Sequence, residues 1–293
     1  MLIGVDFTGP TLLAGVVDGA AVVREASHEV LPNASPADTL DALVRLVTTL
    51  DARPSAVGIA IPGQVNAQGL CWRLPNAPAF EGVPIAEEIA TRLDCAVAVE
   101  NRATAAALAE RLFGHGRTFP SFMLITLGTG VGGGLVIGHQ LYPGANGFGA
   151  EIGHMCIDAA ADAPTCACGR RGCLEVFAGA RGILQKFTEH GGLGMRLSQV
   201  VASARRGEPA GLHTLDALGD VLGRAIAGLQ NLLDLNAVVL SGPLSGVYEL
   251  FEARLRARLR ASAFAPLLAE VPIVVSGLGE QASVVGAAYL ATL

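Results

Sequence analysis

Three cysteines and one histidine lie close together in the middle of the chain. The residues are His154, Cys166, Cys168 and Cys173, and the three cysteines fall within eight residues. A tetrahedral Zn²⁺ ion takes four ligands of this kind, and three cysteines with one histidine are a common structural set. Glycines between the cysteines allow the tight turns that wrapping one ion requires. The spacing therefore predicts a closed, structural zinc site, with unliganded thiols as the alternative.

The bulk properties of the chain bound what it can do. Its 293 residues are 51% hydrophobic and its net charge is −6, without a cluster of basic residues. This excludes disorder and disfavours a nucleic-acid partner. We read neither a membrane span nor a secretory signal, so we expect a cytoplasmic protein with a small-molecule partner. In such a chain the cysteine cluster indicates metal binding before disulfides.

Secondary-structure patterns alternate between strands and helices. The chain opens with short apolar strands joined by tight turns, and an amphipathic helix follows after Ser35-Pro36-Ala37-Asp38, which has the pattern of an N-terminal cap. A second strand–turn–strand unit begins at Ser121 and is followed by further helices and strands. The pattern predicts an α/β architecture of two lobes with a ligand cleft between them.

The restart of the pattern sets the predicted domain bounds. We expect an N-terminal α/β lobe from residues 1–115 plus 280–293. A C-terminal α/β lobe would comprise residues 116–279 and carry the zinc loop at 151–175.

Several motifs together resemble one known family. They are Glu151-Ile-Gly-His154, the run Cys166-Ala-Cys-Gly-Arg-Arg-Gly-Cys-Leu-Glu175, the glycine motif Thr126–Gly134, Leu74-Pro-Asn76, Val99-Glu-Asn101 and Val285-Gly-Ala-Ala288. In this order they resemble the ROK family of repressors, open reading frames and sugar kinases, over essentially the whole chain. The zinc segment is the most specific of these motifs.

The resemblance implies an actin/hexokinase-like (ribonuclease H-like) fold that binds a sugar and ATP with Mg²⁺, and a homodimer. The chain begins at the first strand and so resembles a kinase-type member without a DNA-binding domain. By the same resemblance, the sugar-binding residues are Asn76, Asn101, Glu151, His154 and Glu175. One departure lies beside them, because Gly149-Ala150 replaces the family's usual Ala-Gly.

The nucleotide side departs further from the family pattern. The resemblance assigns it Asp6, Gly9, Gly128, Thr129, Gly130 and Gly242. Thr8 replaces a glycine, Pro10 removes a backbone donor and the opening motif lacks its lysine. Ser283 also stands where the family usually has glycine.

The largest departure is at the catalytic base. The family has an aspartate after Glu-Asn, and this chain has Arg102. A guanidinium carries no acceptor and cannot take a proton from a sugar hydroxyl. No motif indicates another carboxylate in its place, so the catalytic residue stays unknown.

Three hypotheses follow. The first is a sugar-binding homologue, for a hexose or acylamino-hexose, whose ATP-dependent phosphoryl transfer is lost or strongly reduced. The second is an active sugar kinase, of the glucokinase, fructokinase or N-acylhexosamine kinase type, with a displaced base. The third is a repurposed enzyme in which Arg102 holds a phosphate or carboxylate of a sugar derivative.

Overall fold

The computed structural model describes residues 1–8, 10–31, 34–74 and 77–293. The strands in this part of the chain are β1 Leu2–Phe7, β2 Thr11–Asp18, β3 Ala21–Glu29, β4 Ala56–Ile61, β5 Gln64–Val65, β6 Cys71–Arg73, β7 Ala96–Asn101, β8 Phe122–Leu127, β9 Val131–Ile137, β10 Gln140–Leu141, β11 Ala237–Ser241 and β12 Ile273–Val275. The α-helices are α1 Pro36–Leu50, α2 Ile85–Leu93, α3 Arg102–Phe113, α4 Leu174–Ala178, α5 Ala180–Glu189, α6 Leu197–Arg205, α7 Pro209–Leu233, α8 Glu252–Ser262, α9 Pro266–Ala269 and α10 Ala282–Leu290. Among these described helices, none is both long and apolar enough to cross a bilayer.

The chain divides into two compact units. The first comprises residues 1–120, 134–150 and 277–293, and the second comprises residues 121–133 and 151–276. The domain bounds expected from the sequence, residues 1–115 plus 280–293 and residues 116–279, stay a prediction.

The first unit is built on a five-stranded sheet in the order β3-β2-β1-β4-β7. β1, β2 and β3 pair antiparallel as a meander, whereas β1, β4 and β7 run parallel. Every residue of β4 is buried, as expected for a central parallel strand covered on both faces. The carboxyl ends of β1 and β7 carry Asp6 and Glu100, and therefore lie at the same edge of the sheet.

Local signals explain where the helices of this unit begin. The Ser35 hydroxyl accepts a hydrogen bond from the backbone N–H of Asp38, and the Asp38 carboxylate accepts one from the backbone N–H of Ser35, which makes a capping box for α1. Asn101 caps α3 in the same way, because its side chain accepts from the backbone N–H groups of Ala103 and Thr104. The cap at Ser35 agrees with the pattern read from the sequence.

Glycines allow α10 to approach the sheet very closely. A Cβ on Gly4 of β1 would lie 1.9 Å from the carbonyl oxygen of Val284, and one on Gly58 of β4 would lie 1.6 Å from that of Ala287. No larger residue fits at these positions without moving the backbone. This contact holds the start of α10, which carries Ser283, over the end of β1.

The second five-stranded sheet has the order β10-β9-β8-β11-β12, and the division between the two units falls within β9. β8, β11 and β12 are parallel and belong to the second unit. The long helix α7 begins at Pro209, because proline suits the first helical turn.

Candidate functional site

The structure brings the predicted metal ligands together. One ligand atom each from His154, Cys166, Cys168 and Cys173 lies within 4.8 Å of the others. Nδ1 of His154 is 3.7 Å from Sγ of Cys166, and Sγ of Cys168 is 3.7 Å from Sγ of Cys173. With metal–sulfur bonds of about 2.3 Å, two sulfurs of a tetrahedral site lie roughly 3.8 Å apart. The four groups therefore fit one tetrahedral ion.

Burial keeps the thiols of this cluster neutral unless a cation binds. Burial raises the pKa of the Cys173 thiol to about 12, and burial raises the pKa of Cys166 as well. A bound cation reverses this preference, because a coordinated thiol is deprotonated outright. Without a positive charge the cluster would remain neutral and its sulfurs would be poor ligands.

Two glycines shape the loop around the cluster. Gly169 has a φ of +87° and closes a turn in which its N–H donates to the carbonyl of Cys166. Gly172 has a φ of +67°, and a Cβ there would lie 1.7 Å from the carbonyl oxygen of Asp158. The side chain of Arg171 donates to the carbonyl of Ala163 and fixes the other side of the loop.

His154 connects the cluster to a carboxylate. Its Nδ1 faces Cys166, whereas its Nε2 lies 3.9 Å from Oε2 of Glu151. This separation exceeds hydrogen-bond distance, so the carboxylate is a neighbour of the imidazole and not its hydrogen-bond acceptor. Both side chains remain partly exposed, so they can also meet a ligand.

Cys156 lies in the same segment, two residues after His154. It is exposed, and its Sγ is 3.4 Å from the carbonyl oxygen of Asp158. Cys156 pairs with Cys173 in an isolated antiparallel bridge, and Cys173 is buried.

Arg102, at the position of the family's catalytic base, forms an ion pair with Asp6. Nε of Arg102 lies 2.7 Å from Oδ1 of Asp6, and Nη2 lies 2.7 Å from Oδ2. Oγ of Ser283 donates to the same Oδ2 at 2.6 Å. The Asp6 carboxylate is only 2% exposed. Two residues that depart from the family pattern therefore both bind Asp6, which the resemblance placed on the nucleotide side.

A second carboxyl group lies on the same face of this sheet. Asp6 is in register with Ala60, and Ala60 with Glu100, so the acidic side chains are two strands, or about 10 Å, apart. Burial raises the pKa of Glu100 to about 7, while a hydrogen bond from the backbone N–H of Asn101 opposes this shift. A carboxyl that titrates near neutrality suits general acid–base work.

The raised pKa of Glu100 predicts a pH-dependent stability. Between its ordinary pKa and about 7 the folded state holds a proton that the unfolded chain releases. Stability from this group is therefore present at low pH and is lost as pH rises through 7. We expect the free energy of unfolding to fall by about 1–3 kcal/mol from pH 5 to pH 8. Urea titrations at several pH values measure this. In Glu100→Gln this part of the fall in the free energy of unfolding should vanish, and an unchanged dependence on pH would contradict the prediction.

The glycine turn between β8 and β9 is held from within the second unit. Oε2 of Glu175 accepts from the backbone N–H of Val131 at 3.1 Å, and a Cβ on Gly130 would lie 2.4 Å from the same oxygen. The N–H of Gly128 donates to the carbonyl of Gly130, and the carbonyls of Gly128 and Thr129 accept from the first N–H of α5. The turn therefore keeps a defined conformation.

Gly242 lies beside this turn. It has a φ of +86°, and a Cβ there would be 2.6 Å from the carbonyl oxygen of Leu127. Pro243 follows it and is near the position that a Cβ on Gly128 would occupy. The structure thus brings together four of the predicted nucleotide-side residues, in the order Gly128, Thr129, Gly130 and Gly242.

Two predicted sugar-side features belong to the first unit. Asn101 is held at both ends of its amide, because Oδ1 caps α3 and Nδ2 donates to the carbonyl of Gly63 at 2.9 Å. Ala150 has a φ of +64°, a left-handed conformation in which glycine carries less strain. The backbone thus adopts here a conformation that suits the family's glycine.

Two of the predicted residues, Gly9 and Asn76, lie outside the described part of the chain. Sequence reasoning missed the role of Ser283 as a partner of Asp6, and it also missed Glu100. The family departures at Arg102 and Ser283 were visible signals, but nothing in the sequence showed that they meet at one carboxylate.

The fold and the motifs together define a sugar-kinase-like α/β protein with a Cys₃His cluster. The model of the ROK family matches residues 2–293. The chain belongs to the ROK family, and its predicted actin/hexokinase-like fold class is confirmed.

Individual relatives are similar to this chain over nearly its full length. The chain is 31% identical to a glucokinase from Thermotoga maritima, covering 99% of this chain and 96% of that protein. It is 29% identical to an N-acetyl-D-glucosamine kinase from Yersinia pseudotuberculosis, covering 99% and 98%. A crystal structure of a ROK family glucokinase from Streptomyces griseus with glucose and AMPPNP superposes with a TM-score of 0.85, at 29% identity over 99% of both chains.

Proposed function

We propose that the chain binds a hexose or an N-acylhexosamine and phosphorylates it with ATP and Mg²⁺. This is the second of the three hypotheses drawn from the sequence. The observation that carries it is the full-length similarity to glucokinases and N-acetyl-D-glucosamine kinases. The ordered turn at Gly128, Thr129 and Gly130 also supports it, because backbone N–H groups in such turns can approach phosphates.

The sugar would be bound by Asn76, Asn101, Glu151, His154 and Glu175. Asn101 supports this assignment because its amide is fixed by three intramolecular hydrogen bonds and retains one N–H donor for a ligand. Groups held in this way bind without a further ordering cost. Glu151 and His154 are close to each other and partly exposed, as sugar ligands must be.

Glu100 is our candidate for the displaced base. It lies two residues before Arg102 and on the same sheet face as Asp6, with a pKa of about 7. It can thus be ionised at neutral pH and still accept a proton. Because Arg102 neutralises Asp6, we expect turnover to be slow even with this base.

A second candidate function is sugar binding without phosphoryl transfer. The ion pair of Arg102 with Asp6, supported by Ser283, favours it. In this case the carboxylate is bound by the protein's own cation and is a poorer partner for a nucleotide-bound metal. The two functions share the sugar site and differ only in turnover.

ATP consumption across a panel of hexoses and N-acylhexosamines distinguishes them. We expect slow, sugar-dependent formation of ADP and of a sugar phosphate identified by mass spectrometry. A sugar that raises the melting temperature without any phosphorylated product would refute the kinase function and leave the binding function.

Asn101→Ala tests the sugar site. We expect the sugar affinity to fall at least about tenfold, because a fixed hydrogen-bonding group contributes about 1.5 kcal/mol or more. The substitution also removes the cap of α3, so Ser35→Ala, which removes the cap of α1, is the matched control. Isothermal titration calorimetry should show a lower sugar affinity in Asn101→Ala and not in Ser35→Ala. Equal affinity in both would exclude Asn101 as a ligand.

We also propose that the ion in the Cys₃His cluster is Zn²⁺. Three sulfurs and one imidazole at tetrahedral spacing are the donor set that this ion prefers. Four protein ligands would close its coordination shell, so the ion would support the segment from Glu151 to Glu175 and leave the chemistry to other groups. The homodimer and the cytoplasmic location stay predictions.

A further inference from the structure

Cys156 lies directly opposite Cys173 in a short antiparallel ribbon. The two residues form an isolated antiparallel bridge. The N–H of Ile157 donates to the carbonyl of Gly172 at 2.7 Å, and the N–H of Leu174 donates to the carbonyl of Met155 at 2.9 Å. These bonds flank the cysteines on both sides, so Cys156 and Cys173 are a non-hydrogen-bonded pair.

This type of pair has the geometry that a disulfide requires. Residues opposite each other at such positions have Cα atoms about 4.5 Å apart and side chains on the same face. Disulfides join Cα atoms about 4.4–6.8 Å apart. The Cys156 thiol now contacts the carbonyl of Asp158. Formation of the disulfide would require rotation about its Cα–Cβ bond towards Cys173.

The two cysteines differ in access and in role. Cys156 is exposed, whereas Cys173 is 1% exposed and belongs to the metal cluster. An exposed thiol next to a second cysteine is the arrangement of redox-sensing pairs, in which one thiol is oxidised first and the other resolves it.

We propose that Cys156 is a redox-reactive thiol that forms a disulfide with Cys173 and thereby removes one ligand from the metal cluster. Hydrogen peroxide is the oxidant by class. It converts the Cys156 thiol to a sulfenic acid with release of one water. The sulfur of Cys173 then attacks the sulfenic sulfur, the S–O bond breaks, and a second water leaves with the proton of Cys173 or one from solvent.

The disulfide has a structural consequence at the start of α4. Cys173 is the N-cap of this short helix, and Glu175 in its first turn holds the glycine turn through Val131. Loss of the Cys173 ligand leaves three donors to the ion, which weakens its binding. Oxidation would therefore release the metal and loosen the segment that carries Glu151 and Glu175.

The release of metal rests on the proposed zinc, whereas the formation of the disulfide does not, and the experiment measures each separately. Zinc-loaded protein is treated with hydrogen peroxide, released Zn²⁺ is followed with a chromogenic chelator, and disulfides are mapped by mass spectrometry. We expect a Cys156–Cys173 linkage that forms with the same time course as the release of Zn²⁺. Dithiothreitol should reverse it.

Cys156→Ser and Cys95→Ser are the matched variants. Both remove a thiol outside the cluster, and Cys156 is exposed, so its replacement should leave the fold intact. We expect Zn²⁺ release to slow severalfold in Cys156→Ser and to stay unchanged in Cys95→Ser. Equal release rates in the three proteins, or a linkage only between Cys168 and Cys173, would overturn the proposal. If the protein, isolated in its reduced form, contains no zinc, only the zinc assignment is refuted. The Cys156–Cys173 disulfide can then still be mapped after treatment with hydrogen peroxide.

Discussion

Arg102→Asp is expected to raise the turnover number for ATP-dependent sugar phosphorylation by about 10²–10⁴-fold, the usual contribution of a general base. The substitution restores a proton acceptor after Glu100-Asn101, where the family carries its aspartate. It also frees the Asp6 carboxylate, which Arg102 now contacts through two nitrogens. A coupled ADP assay with the sugar identified from the panel measures the effect.

Two further variants separate these causes. Arg102→Ala frees Asp6 without supplying an acceptor, so a gain equal to that of Arg102→Asp would show that the ion pair alone limits the rate. Glu100→Gln should abolish the residual activity of the native chain and have little effect in the Arg102→Asp background, where the new base takes over. If Glu100→Gln leaves the native activity unchanged, Glu100 is not the base. Failure of Arg102→Asp to gain any activity would contradict the whole assignment.

Loss of one metal ligand should have the largest effect on stability. Binding of a structural Zn²⁺ provides roughly 10–16 kcal/mol in peptides that fold around it, so Cys168→Ser is expected to lose the ion and unfold residues 151–175. Glu151, His154 and Glu175 lie in this segment, and sugar binding should be lost with it. Zinc content by atomic absorption, the melting temperature and sugar calorimetry together measure the effect.

Cys95→Ser is again the control, because Cys95 is a partly buried cysteine outside the cluster. It should keep one Zn²⁺ per chain and bind sugar normally. Chelation of the native protein should reproduce the Cys168→Ser result. Sugar binding that persists in verified metal-free protein would show that the ion does not support the sugar site.

Much of the fold could be predicted because its signals are local. The capping box of α1 spans Ser35 to Asp38, and the cap of α3 spans Asn101 to Thr104. The cluster from Cys166 to Cys173 also lies within one short segment, so ligand spacing alone indicated its chemistry. Family motifs then predicted the sugar-side residues, which stay a prediction, and marked Arg102 as a departure.

Chain-distant contacts decided the rest. Asp6 meets Arg102 across 96 residues and Ser283 across 277, and only the packing of α10 against β1 brings the latter pair together. The raised pKa of Glu100 depends on burial by the surrounding fold, and the opposition of Cys156 and Cys173 depends on the register of a ribbon. The sequence by itself determined which groups are present and which four of them could hold a metal. Tertiary structure decided which groups neutralise, bury or face each other, because these effects depend on distance in space.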